Sequence, residues 1–206
     1  MSARPSESLA CWWAGARLLA LTAALWVAMG VDARASVSVS VTFEDLLKRA
    51  SAVAVVVPVD RHGVWEDGRI VTYTHVRIER LVAGRLPGDV WVRTFGGSVG
   101  HIGQIVEGEA TFGQAEASLV FVHPGGMGGS PGIFGVVEGA QGQFTVVASA
   151  GQSPSLAAAR GVGALVQPPP GAGRLATEAL VGRSLEDAAR EIDSAWSHFH
   201  STSEAR

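Results

Sequence analysis

Cysteine is almost missing: Cys11 is the only one in 206 residues. No intramolecular disulfide can form, and no cysteine-based zinc site can be built. Aromatic residues are scarce at 7%, with a single tyrosine, Tyr73. Charged residues make up 17%, and the net charge is -3. A balance this slightly acidic gives no electrostatic case for nucleic acid or an anionic membrane. No apolar run reaches the ~20 residues that a membrane-spanning helix needs. What the chain does have is 47% hydrophobic residues and 26 glycines. That composition describes a folded core with many turns rather than a disordered chain.

The first 35 residues read as a secretory signal. Arg4 and Arg17 precede the apolar run Leu18 to Met29, and Ala33-Arg34-Ala35 offers small residues at the two positions a signal peptidase reads. Cleavage after Ala35 leaves Ser36 first, removes Cys11, and gives a mature chain of net charge -4. The mature protein is then secreted or periplasmic, with no membrane attachment, and rests on core packing alone.

Ser36 to Val41 alternates serine and valine as an edge strand does. Thr42 caps a short helix with Asp45 in the capping-box position. Ala52 to Val59 is a nearly continuous β-branched run, the pattern of a strand buried on both faces, and Pro58 demands a bulge or an edge. Asp67-Gly68 signals a tight hairpin. In the next strand Ile70, Thr72, Thr74, Val76 and Ile78 face the core, while Val71, Tyr73, His75, Arg77 and Glu79 face away. Leu81 and Val82 break that alternation, so a bulge falls near Arg80. Val90 to Phe95 and Ala117 to His123 are further strands, and Ile102 to Val106 has strand character. Ile133 to Glu138 and Gln143 to Val147 read as a hairpin around Gly139-Ala140-Gln141-Gly142. The sequence thus divides into a signal peptide over 1–35, a β-barrel domain over 36–152, a Pro/Gly-rich linker over 153–183 and a helix over 184–200. Ser184 and Asp187 cap that helix, and Leu185, Ala188, Ala189, Ile192 and Trp196 form its apolar stripe.

Several of these segments together resemble a known module. They are Val76-Arg77-Ile78-Glu79-Arg80-Leu81-Val82-Ala83-Gly84 with Leu86-Pro87-Gly88, Gly96-Gly97 with Gly100 and Ile102-Gly103, Glu107-Gly108, Phe112, Glu116, Val120-Phe121, and Gly139 to Phe144. From about Phe43 to Trp196 the chain is similar to uncharacterised secreted bacterial β-proteins, for which no activity can be carried over. The helix–strand–hairpin order also resembles the netrin-like module, the OB-type barrel of tissue inhibitors of metalloproteinases. Those inhibitors reach the protease zinc through an amino-terminal cysteine. Ser36 would stand first here, so that mechanism does not transfer.

Chemistry-bearing motifs are thin. The six histidines (His62, His75, His101, His123, His198 and His200) include no HExxH spacing. His198 and His200 lie at a helix end, where a solvated pair suits the helix dipole. His101 sits among glycines and could work with Glu107, Glu109 or Glu116 as an acid–base pair; a surface-loop histidine is the simpler reading. Gly97-Ser98-Val99-Gly100 lacks the strand-to-helix elbow of a serine nucleophile. Gly125 to Gly129 lacks the lysine and helix of a phosphate loop. Trp65 and Trp91 could form an aromatic binding patch or cover the barrel ends.

The expectation is a mainly β fold: a small OB-like antiparallel barrel with a short amino-terminal helix and a carboxy-terminal amphipathic helix. The expected function is a secreted, non-enzymatic binding module without cofactor or metal. Its contact surface would be Trp65, Trp91 and His101, and its partner a protein, an extracellular protease among the candidates, or a small ligand. The alternatives are a secreted hydrolase using His101 with a nearby glutamate, and an envelope-anchored structural protein that keeps its amino-terminal segment.

Overall fold

The computed structural model describes residues 37–125, 131–149 and 151–200, and every structural statement below concerns those residues. The cleavage-site residues Ala33, Ala35 and Ser36 lie outside them.

Thr42 starts α1 (Phe43–Arg49) as the sequence predicts: its hydroxyl accepts the Asp45 N–H at 3.1 Å and donates to the Asp45 carboxylate at 2.7 Å. Before it runs β1 (Val37–Val39), and after it come the long strands β2 (Ala52–Glu66) and β3 (Arg69–Gly84). Asp67 and Gly68 join these two with φ of 47° and 75°, the positive values a two-residue hairpin turn needs. Next come β4 (Val90–Phe95), a small hairpin of β5 (Gly97–Val99) and β6 (Ile102–Gln104), and β7 (Ser118–Pro124). β8 (Ile133–Val136), β9 (Gln143–Ser149), β10 (Gln152–Ala158) and β11 (Ala164–Val166) follow. The chain ends in α2 (Ala176–Leu180) and α3 (Leu185–His200).

The main sheet has the order β10-β9-β7-β2-β3-β4-β8, and β8 also pairs with β7. That last pairing closes β7, β2, β3, β4 and β8 into a five-stranded barrel, flanked by β9 and β10. Inside are Ala52, Ala54, Val56, Val76, Val90, Val92, Val120, Val122, Phe134 and Val136, plugged by Phe112. The alternate residues Val53, Val55, Leu119 and Phe121 face outward into a second core under α1, α2 and α3. Burial on both faces is why β2 and β7 read as unbroken apolar runs. Ser184 and Asp187 cap α3, and Leu185, Ala188, Ile192 and Trp196 pack it on this second core.

Three expectations need correction. β8 and β9 are not a hairpin. A 3-10 turn at Gly139–Gly142 steps the chain along one edge of β7, whose Val122–Pro124 part pairs β8 and whose Ser118–Val120 part pairs β9. The barrel is not wholly antiparallel, because β4 and β8 run parallel. Residues 153–183 are not simply a linker: they hold most of β10, then β11 and α2. β10 pairs with β9 and β11 lies parallel to β1, so backbone pairing rather than apolar periodicity orders this stretch. Among the described residues no helix is long and apolar enough to cross a membrane.

Candidate functional site

β2 pairs with β7 only from Ala52 to Val56. Beyond Pro58 it continues as one side of a ribbon with β3 and β4. Residue Val59 has no partner in β3: Pro58 lies opposite Val76, and Asp60 lies opposite His75. This bulge reverses which face the following residues of β2 present. His62 comes opposite Tyr73, and His75 opposite Trp91.

The result is a row of rings across the outer face of the ribbon. His62 stacks on Tyr73 with centroids 5.6 Å apart and meets the edge of Trp91 at 5.2 Å. His75 stacks on Trp91 at 4.8 Å, and its Nε2 lies 2.6 Å from an Asp89 carboxylate oxygen. At the other end the Tyr73 hydroxyl donates to Glu66 at 2.5 Å. Arg93 donates to the second Glu66 oxygen from Nε at 3.1 Å and from Nη2 at 2.7 Å. The Arg93 guanidinium also lies 4.7 Å from the Phe95 ring centroid. With side chains only 15% and 20% exposed, Arg93 and Glu66 are better shielded than surface pairs worth about 0–1 kcal/mol.

These contacts shift protonation. The Tyr73 hydrogen bond, followed by the Arg93 contacts, holds the Glu66 carboxyl below the usual glutamate range. Burial, then the hydrogen bond to Glu66, pushes the Tyr73 hydroxyl up. Elsewhere, burial raises the carboxyl of Glu109.

Trp91 therefore belongs to a cluster, but Trp65 does not. Trp65 is 51% exposed and lies opposite Ile70, on the other face of the ribbon. His101 is exposed in the β5–β6 turn. No hydrogen bond or ion pair joins it to Glu107, Glu109 or Glu116 among the described residues. Glu109 instead accepts the Ala110 N–H at 3.2 Å, and Glu116 lies 3.6 Å from Arg160. Among the described residues no three His, Cys, Asp or Glu side chains come together as a metal-binding group. The residues that the sequence reading did not gather are His62, Glu66, Tyr73, His75, Asp89 and Arg93. The outward set of β3 already contained Tyr73 and His75; only the register supplies the rest.

No protein-family model, curated protein or solved structure matches the chain.

Proposed function

We propose that the chain is an exported, non-enzymatic binding module built on an OB-type barrel, and that it meets a protein partner through the outer face of β2, β3 and β4. The observation that carries this reading is the ring row Tyr73–His62–Trp91–His75, anchored at one end by Glu66 and Arg93 and at the other by Asp89. Trp, Tyr and Arg are the side chains most often dominant in protein interfaces: Trp and Tyr combine large contact area with few rotatable bonds and a polar end, and Arg adds a planar, multi-pronged donor. Here their rotamers are fixed before binding, so less entropy is lost on docking. Small five-stranded Greek-key barrels bind ligands on the face of their second and third strands, which here are β3 and β4.

The test is cross-linking of the tagged protein to the envelope and culture-supernatant fractions of the cells that make it, with mass spectrometry of its first residue. The expected result is a processed chain starting at Ser36. One discrete cross-linked species should form and weaken about tenfold or more in Trp91→Ala, as loss of an interface anchor implies. His101→Ala should leave it unchanged. Hydrolysis of esters, peptides or glycans that disappears in His101→Ala, or capture indifferent to Trp91→Ala, would overturn the reading.

A further inference from the structure

The barrel interior changes character along its length. β3 turns Val76 inward and then Thr74 and Thr72; β4 turns Val90 and Val92 inward and then Thr94. The hydroxyl end is closed from outside by the loop that carries Phe112, because β2 and β7 have parted beyond Val56 and Ser118. Two cavities of about 110 Å³ each flank this plug, and both are lined by Arg61 and Phe112. One extends inward to Thr72, Thr74 and Thr94; the other runs outward along Pro58 to Asp60 and Gly113.

The polar groups here are not all satisfied by the protein. Thr72 donates its hydroxyl to the Gly96 carbonyl at 2.6 Å, and Thr94 reaches the Thr72 carbonyl at 3.5 Å. Thr74, 2% exposed, makes no side-chain hydrogen bond to the described residues. Arg61 lies opposite Thr74 in the β2–β3 register and on the same face. No carboxylate of the described residues is within ion-pair reach of its guanidinium. Its neighbour Asp60 accepts the Arg61 backbone N–H at 2.8 Å and lies opposite His75 in the β2–β3 register. Asp60 is the one carboxyl among the residues lining the two cavities, and it borders the outer one, so the inner cavity is the one suited to an anion.

We propose that this mouth binds an oxyanion head group, a carboxylate or phosphate, with Arg61 as its charge anchor and the Thr74 hydroxyl as a donor. Each cavity has room for roughly three or four waters, which is the volume of one such head group. A guanidinium gives a planar, two-pronged donor set for either ion, stronger than a neutral hydrogen bond. Phe112 and Arg61 border both cavities, so the same cation faces each of them. The head group could belong to a free small molecule or to the carboxy terminus of a peptide, and the two sources are separable.

The test is NMR titration of the ¹⁵N-labelled full chain with sodium acetate and sodium phosphate, at ionic strength held constant with chloride. A short unstructured peptide follows, as its free acid and as its amide. Saturable shifts are expected at Arg61, Thr72, Thr74 and Thr94. Affinity should fall about tenfold in Arg61→Gln and measurably in Thr74→Val, and should stay unchanged in Arg69→Gln at the hairpin turn. If the inorganic ion or acetate binds and the peptide acid does no better than its amide, a free small anion is the ligand. If the acid binds at least tenfold tighter than acetate and the amide does not, a chain terminus is. Shifts that never saturate, or an Arg61→Gln protein that binds like the parent, would overturn the proposal. Either result leaves the cross-linking test on Trp91 untouched, since the two sites lie on opposite faces of the ribbon.

Discussion

Replacing Gln143 with leucine should destabilise the protein and loosen the Phe112 plug. Gln143 is 2% exposed at the start of β9. Its side-chain carbonyl accepts the Thr111 N–H at 3.1 Å, and its Nε2 donates to the Thr111 carbonyl at 2.8 Å and approaches the Ser118 hydroxyl at 3.4 Å. One buried amide thus holds the backbone next to the plug by both of its hydrogen-bonding groups. Leucine keeps the volume but strands two backbone groups, each costing about 1–3 kcal/mol if water cannot reach it. Thr111 is itself exposed, so water recovers part of that cost, and the net loss should be about 2–3 kcal/mol. For a chain of this size that lowers Tm by about 4–12 °C. Urea unfolding should show the loss as a lower midpoint at unchanged slope. Amide exchange at Thr111 and Phe112 should quicken more than exchange in β2. Gln143→Glu supplies an internal check. Its carboxylate can accept from Thr111 but has no proton for the Thr111 carbonyl, so its folded-state pKa is raised. Its stability is then present at low pH and lost as pH rises through that raised value. A leucine variant within about 0.5 kcal/mol of the parent, as for an ordinary surface change, would refute the pairing argument. So would a glutamate variant whose deficit ignores pH.

Two further substitutions read shifted carboxyls of the folded protein. Glu66 has a lowered pKa in the folded protein, so its contribution is present above the unfolded value of about 4.3 and fades as pH falls through the lower folded one. Glu66→Gln should cost about 1 kcal/mol at pH 7, as one shielded ion pair, with a deficit that shrinks below about pH 4; a deficit constant across urea titrations at both pH values would count against this. Glu109 has the opposite sign: its raised pKa gives stability below the unfolded value that is lost as pH rises through the folded one. Glu109→Gln should therefore match or exceed the parent by up to about 1 kcal/mol at pH 7, with no advantage in acid. A clear loss at neutral pH would show that the charged form is the one the fold favours.

Local chemistry explains how much of the fold could be read directly. Thr42 with Asp45 and Ser184 with Asp187 are short-range capping pairs, and both form. Asp67-Gly68 fixes a turn by backbone conformation alone. The bulges near Arg80 announce themselves because Leu81 and Val82 break a period of two. In the structure, Glu79 and Val82 fall out of register with β2. What failed was non-local. Gly139-Ala140-Gln141-Gly142-Gln143 looks like a hairpin turn, yet its two glutamines are anchors to distant backbone. Gln141 pairs its amide with the Val41 N–H and the Val39 carbonyl, while Gln143 does the same to Thr111. β10 and β11 carry little apolar periodicity because their order comes from backbone pairing, β10 with β9 and with the 182–184 segment, β11 with β1.

The ring row was illegible for a sharper reason. Strand alternation places every second residue on one face, so an inserted residue exchanges the two sets. Before the bulge at Val59, the even-numbered residues of β2, such as Val56, point into the barrel; after it, the even-numbered His62 lies opposite Tyr73 on the outside. Without that single unpaired residue, Trp65 would share the outer face with Trp91, which is the pairing the sequence invites. Pro58 gives notice of an irregularity, since it can donate nothing to a ladder, but not of its size. The same reversal carries Arg61 to the inner face opposite Thr74. One bulge therefore decides both surfaces at once: it assembles the rings outside and delivers a cation to the hydroxyl-lined mouth inside.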